Sequence, residues 1–203
     1  HRRSQEISGG KGNVIYRALL RESSLETIAH KARIAGKQLL AYGLLIEKGI
    51  RYKDELVVYN QWGKPALKNH PNIQYNISHC ENCIACVISD THAVGIDVEK
   101  VRKFNPYAAM RVCSPEELQR IYSAEDPNRE FFRYWTLKES YIKAIGMGLS
   151  FAMRDVNFEI MPDGSIHSCF AGCSFLLLED IEGFITAVCY KNIGEAVDNE
   201  SFY

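Results

Sequence analysis

The sequence predicts an α+β protein, on three observations. Each half of the chain holds one long stretch with helical periodicity. Each also holds several short strand-like segments. Most of those segments are joined as hairpins, by turn residues such as Pro162-Asp163-Gly164. Two related α+β halves are therefore expected, divided near residue 100 into 1–100 and 101–203, with neither a Pro/Ser-rich linker nor a convincing sequence repeat between them.

Taken in order, residues 1–12 are basic, carry Gly9, Gly10 and Gly12, and lack an initiator Met. They are expected to be poorly ordered and to include residues foreign to the protein. Asn13 to Leu20 reads as a strand. Ser23 and Ser24 offer caps for a long helix reaching about Lys48, with Gly49 as its stop. Glu55 to Asn60 is strand-like, and Gly63-Lys64-Pro65 marks a turn. Strands follow over Ile73–Ile77, Ile84–Ser89 and Ala93–Glu99. Pro106 and Pro115 bracket a short helix, and Ser114 caps the next. A second long helix spans about Asn128 to Ile145 and stops at Gly146 and Gly148. The remainder alternates as strands, with turns at Pro162-Asp163-Gly164 and near Glu182-Gly183.

Composition excludes several classes. At 46% hydrophobic and 24% charged, the chain is neither disordered nor fibrous. No apolar run approaches the roughly 20 residues that span a bilayer, and no secretory signal is visible. The 24 Lys/Arg nearly cancel the 25 Asp/Glu, which removes the composition-level case for nucleic acid or a membrane as main partner. The total hides an asymmetry: residues 1–100 hold 14 basic against 10 acidic residues, while 101–203 hold 10 against 15. Either this is chance plus an acidic tail (Glu195, Asp198, Glu200), or the first half supplies cations to a bound anion.

Seven cysteines cannot all pair within the chain, and thiols without a clear framework favour a reducing cytoplasm. Cys80, Cys83 and Cys86 are spaced like part of an iron–sulfur run, which gives a metal-cluster or redox protein as the rival functional reading. Against it, no fourth cysteine follows shortly after Cys86, where Val87, Ile88, Ser89 and Asp90 stand, and Ile84–Ile88 is a short apolar strand in which Cys serves as a small hydrophobe.

The informative positions are charges that break an apolar pattern. In Val94-Gly95-Ile96-Asp97-Val98-Glu99, alternation puts the three aliphatic residues on one face and Asp97 with Glu99 on the other, beside Gly95. Two adjacent carboxylates persist cheaply only if solvated or bridged by cations. On the second long helix, Phe131, Phe132, Tyr134, Trp135, Tyr141, Ile142 and Ile145 form one apolar arc. Lys138 falls inside that arc, Glu139 lies between Trp135 and Phe132, and Lys143 sits at its edge. An internal Glu139–Lys143 pair at i,i+4 would explain two of these charges; a site lined by the helix would explain all three. In the basic half, Lys31, Arg33 and Lys37 on the first helix, Lys64 in its turn, and Ser78-His79 at a strand end are candidates for holding phosphate. Neither of the common glycine-rich nucleotide loops is present.

The order of motifs is distinctive: Gly63-Lys64-Pro65, Tyr75-Asn76-Ile77-Ser78-His79, Gly95-Ile96-Asp97-Val98-Glu99, then Trp135-Thr136-Leu137-Lys138-Glu139 running through Lys143-Ala144-Ile145-Gly146-Met147-Gly148-Leu149. It resembles the Sfp-type 4′-phosphopantetheinyl transferases. The resemblance implies two similar α+β halves about a pseudo-twofold axis, with coenzyme A between them. It implies transfer of the phosphopantetheine arm of coenzyme A to a serine of an apo acyl, peptidyl or aryl carrier protein, releasing 3′,5′-ADP. Asp97, Glu99 and Glu139 would hold Mg²⁺ against the pyrophosphate. Glu139 would accept the serine proton, and Lys143 would assist the departing phosphate. Lys138 would lie near pantetheine or phosphate. Lys64, Ser78 and His79 would bind coenzyme A phosphates, and Lys37 with Lys31 the 3′-phosphate. The implied protein is a cytoplasmic monomer that uses neither nucleic acid nor membrane; Cys80 has no assigned role.

Overall fold

The computed structural model describes residues 5–8, 12–21, 25–148 and 152–193. The proposed helix caps Ser23 and Ser24, Leu149 of the last motif and the acidic tail lie outside them. The first sheet has four antiparallel strands in the order β1 (Gln5–Ser8), β2 (Asn13–Leu19), β6 (Cys83–Ser89), β5 (Gln74–Cys80). Within residues 1–12, expected to be poorly ordered, Gln5–Ser8 instead form strand β1, which pairs along β2 with Ile7 opposite Ile15. The second sheet runs β10 (Cys173–Leu178), β11 (Phe184–Asn192), β7 (His92–Lys100), also antiparallel. Two small hairpins lie outside these sheets, β3 (Val57–Tyr59) with β4 (Pro65–Leu67) and β8 (Phe158–Ile160) with β9 (Ile166–Ser168).

Each sheet carries one long helix. Helix α1 (Leu25–Lys48) sets Ala32, Ala35, Leu39, Leu40 and Leu44 against Tyr75, Ile84, Cys86 and Ile88. Helix α4 (Pro127–Ile145) sets Phe131, Tyr134, Leu137 and Tyr141 against Ile185, Ala187 and Cys189 of β11. The remaining sheet faces meet each other: Ile15, Cys83, Ala85 and Val87 pack on Val94, Ile96, Val98, Phe184 and Val188. The layers are helix, sheet, sheet, helix, and α+β is the observed class.

Local sequence explains the elements of the second half. Pro106 and Pro115 open α2 (Pro106–Val112) and α3 (Pro115–Ser123), the latter behind a capping box of Ser114 and Glu117. Asp126 accepts from the Asn128 and Arg129 N–H groups to cap α4, and Gly146 closes it in the left-handed region at φ 69°. By hydrogen bonding β7 joins the sheet of residues 101–203, although it lies within 1–100. Among the described residues no helix is long and apolar enough to cross a membrane.

The two sheets also touch at one seam. Strands β5 and β7 lie side by side, yet no backbone ladder joins them. Alternate side chains of β5 accept instead from the backbone of β7. The Ile96 N–H donates to Asn76 Oδ1 at 2.9 Å, the Val98 N–H donates to Ser78 Oγ at 3.3 Å, and the Lys100 N–H bears on the Cys80 thiol. Cys80 thus gains a place as the last rung.

Candidate active site

Strand alternation puts Gly95, Asp97 and Glu99 on the β7 face opposite the inter-sheet core, as expected, but that face is not a solvated exterior. Helix α4 covers it. A Cβ at Gly95 would stand 2.0 Å from the Ser140 carbonyl oxygen and 2.4 Å from the Ala144 nitrogen, so only glycine admits the helix this close. The close approach brings one turn of α4, with Glu139 and Lys143, onto the carboxylates of β7.

Asp97 is buried, and its Oδ1 accepts from Lys143 Nζ at 2.6 Å and from Ser78 Oγ at 3.1 Å. Lys143 also donates to Ser78 Oγ at 3.1 Å, closing a triangle. The partner of Lys143 is therefore Asp97 and not Glu139, as the i,i+4 reading had it. Asp97 Oδ2 is buried without a hydrogen bond among the described residues. Glu139 has its carboxyl held above the usual range, first by burial and then by Asp97; Lys143 pulls it down and Glu99 pushes it up. Glu99 pairs with Arg102 at 2.8 Å and accepts from the Cys80 thiol at 3.5 Å. Glu139 and Lys143 line a cavity of about 250 Å³ whose far wall is Trp62, Gly63, Lys64 and Pro65, with Asn76 between.

Other expected residues fall differently. Lys138 is corrected: its side chain is fully buried and points away from the cavity. Its ammonium pairs with Glu117 at 2.8 Å and donates to the Met153 and Val156 carbonyls. The anomaly of a lysine in an apolar arc is answered by a carboxylate on α3, so no phosphate reaches it. Lys64 lies on the cavity wall, but its ammonium donates to Ala144 O at 2.5 Å and Val94 O at 3.3 Å, capping the end of α4. Of the phosphate role foreseen for it, only the position on the wall remains. The Ser78 hydroxyl is engaged with Asp97, Lys143 and Val98. His79 is exposed on the α1 side of β5, its imidazole pKa lowered by partial desolvation, then by Lys143 and Arg33. Lys37 makes an exposed pair with Asp54 at 2.8 Å, and Lys31 is exposed on α1.

The cysteine reading is overturned. Cys83 and Cys86 belong to opposite faces of β6, one in the inter-sheet core and the other under α1, so they cannot share a metal. Burial pushes the Cys83 thiol up to about 12 and Cys80 to about 11. Among the described residues no three His, Cys, Asp or Glu side chains converge as a ready-made metal shell. The donors at the site still suit a hard cation that keeps water and substrate oxygens: three carboxylates, mutually repelling at Glu139, and one buried oxygen on Asp97 without a donor.

Residues 93–189, from the second residue of β7 into β11, match the sequence model of the 4′-phosphopantetheinyl transferase superfamily. The resemblance to the Sfp-type 4′-phosphopantetheinyl transferases holds. A 4′-phosphopantetheinyl transferase of Bacillus subtilis is 33% identical over 109 residues, 52% of this chain and 48% of that protein. The transferase Sfp of Bacillus subtilis strain 168 is 28% identical over 135 residues, 64% of this chain and 60% of its own length. The mouse L-aminoadipate-semialdehyde dehydrogenase-phosphopantetheinyl transferase is 33% identical over 148 residues, covering 65% and 48%. The chain thus spans about half the length of the curated relatives it matches. The holo-[acyl-carrier-protein] synthase of Neisseria meningitidis aligns over 51% of this chain at 19% identity with a TM-score of 0.45. Asp97, Glu99, Glu139 and Lys143 all fall within the matched 4′-phosphopantetheinyl transferase segment, whereas Lys31, Lys37, Lys64, Ser78 and His79 precede it.

Motif reading left Asn76 without a role. The available signal was its register: two residues before Ser78 on a strand, it shares the face that meets β7.

Proposed function

We propose that the protein transfers the 4′-phosphopantetheine group of coenzyme A to a serine hydroxyl of an apo carrier protein. The observation that carries this reading is the junction at Gly95. There, Glu139 and Lys143 of α4, which line the cavity, come onto the buried Asp97 of β7, inside the segment shared with the named transferases. Asp97, Glu99 and Glu139 are the residues that would hold magnesium, which would supply positive charge against the pyrophosphate.

The chain's own groups have distinct tasks. Burial and the charge of Asp97 make Glu139 a stronger base than free glutamate, suited to take the proton of the carrier serine. The serine oxygen then bonds to the phosphorus bearing pantetheine. The bond from that phosphorus to the bridging oxygen breaks, and its electron pair leaves on 3′,5′-ADP. Lys143, turned toward Asp97 in the structure, offers an ammonium to that departing phosphate. Ser78 holds both Asp97 and Lys143 in place, while His79, Lys37 and Lys31 provide cationic or hydrogen-bonding groups for the remaining phosphate. The halves 1–100 and 101–203 would thus divide the work into phosphate binding and catalysis. Seven free thiols fit a reducing cytoplasm.

The test is mass spectrometry of several apo carrier proteins incubated with coenzyme A and Mg²⁺, expecting one added phosphopantetheine. Asp97→Ala is expected to lose at least about 100-fold in turnover while melting as a folded protein. Failure to modify any carrier would sink the reading, and unchanged magnesium-dependent turnover in the variant would sink the ligand assignment.

A further inference from the structure

Arg102 stands just past the end of β7, and its guanidinium is fixed from three sides. Nη1 donates to Glu99 Oε2 at 2.8 Å and to the Lys100 carbonyl at 2.9 Å. The central carbon Cζ lies over the Phe132 ring, 4.7 Å from its centroid. Phe132 is buried on α4, about two turns before Glu139. Arg102 therefore ties Glu99 to the helix that carries Glu139. The Cys80 thiol reaches the same Glu99 oxygen at 3.5 Å, and Oε1 makes no hydrogen bond among the described residues. Glu99 is also close enough to Glu139 to push its carboxyl up. An exposed ion pair stabilises a fold little, so stability alone does not account for this arrangement.

We propose that Arg102 is a positioning residue: by holding Glu99 Oε2 against Phe132 and the Lys100 carbonyl, it presents Oε1 as a ligand for the divalent cation. This rests on the magnesium assignment above and adds to it a residue that is not itself a ligand. Repulsion from Glu139 would turn an unrestrained Glu99 toward solvent, and Arg102 opposes that. A carboxylate whose torsions are already fixed loses little further freedom when it ligates. The guanidinium charge opposes the cation, but it is spread over a plane, stacked on a ring, and sits on the oxygen the cation does not use. Positioning and repulsion have opposite signs: without the first the cation binds more weakly, and without the second more tightly.

Arg102→Met keeps an apolar chain over Phe132 and removes both the donor and the charge. Mn²⁺ takes oxygen ligands as Mg²⁺ does, and its EPR signal fades on binding. It is titrated into wild type and variant without coenzyme A, so that no phosphate or carrier contact contributes. The variant is expected to bind Mn²⁺ at least roughly tenfold more weakly, the usual loss when a partner that holds a metal ligand is removed. In carrier modification the half-saturating Mg²⁺ concentration should rise by a similar factor, while turnover at saturating Mg²⁺ stays within about threefold of wild type. Thermal melts of the two proteins should coincide. Mn²⁺ binding less than about threefold weaker than wild type overturns the proposal, and tighter binding shows that Arg102 only repels the cation. Turnover that stays low at saturating Mg²⁺, with or without a lower melt, overturns it too, placing Arg102 on the substrate or in the fold. Wild type that binds no Mn²⁺ sinks the metal assignment and this inference with it, whereas the transferase reading is decided separately by whether any carrier is modified.

Discussion

Single charged side chains at this site are defined by what they oppose. Lys143 is held by Asp97, Glu139 feels burial and the repulsion of Asp97 more than the pull of Lys143, and the half-buried Lys64 sets its ammonium against two carbonyls. Burial lowers the Lys64 ammonium from 10.5 to about 8. Below pH 8 the ammonium is charged in both the folded and the unfolded chain, and the burial cost is present in full. Between pH 8 and about 10 the folded protein sheds this proton first while the unfolded chain keeps it, so this group's contribution to stability improves as pH rises. Compared with Lys64→Met in denaturant melts, the wild type should gain at most about 1.4 kcal/mol per pH unit across that window. A constant difference would show that Lys64 stays charged. Lys138 belongs to the same scale. Its ammonium and Glu117 are both buried, so Lys138→Ala should cost about 3–5 kcal/mol. The variant that still folds should bind coenzyme A like wild type, which a phosphate-binding lysine would not allow.

At the level of elements, the site is made by a helix pressed onto a strand. Alternation along β7 and the apolar arc of α4 were each legible in the sequence, because periods of 2 and 3.6 need only local spacing. So were both long helices and the hairpin turns at 162–164 and near Gly183. Which face of β7 meets which turn of α4 was not legible, since nothing local states that Gly95 receives Ser140. Gly95→Ala tests the contact. The added methyl meets backbone rather than a flexible side chain, so a loss of about 3 kcal/mol or more is expected, with turnover falling as Glu139 and Lys143 shift from Asp97. A variant of native stability and activity would mean that α4 does not sit so close. The β5–β7 seam was likewise hidden. Asn76, Ser78 and Cys80 share one strand face in the sequence, but only the neighbouring β7 shows that this face replaces a backbone ladder.

Across the whole molecule, the two sheets are held by the core between them, by the seam, and by one ion pair far away in sequence. Arg17 of β2, fully buried, donates both Nη atoms to Asp180 at 2.7 Å in the turn between β10 and β11. Removing Asp180 takes the paired carboxylate away from a buried guanidinium. Asp180→Ala should therefore lose about 3 kcal/mol, read as a lower midpoint in urea melts at pH 7, and the loss should shrink in acid as the wild-type carboxylate itself protonates. Equal stability of the two proteins would show that the pair contributes nothing. The sequence by itself determined the class, the order of elements, the residues that break the apolar pattern, and the motifs shared with the transferases. These depend on neighbours within a few residues. Tertiary structure alone decided that Lys138 serves the core and not the ligand, that Cys83 and Cys86 face opposite ways, and that Lys143 answers Asp97. Each of these turns on a partner brought near by packing, and the energy of a charge depends on that partner far more than on the residues beside it in the chain.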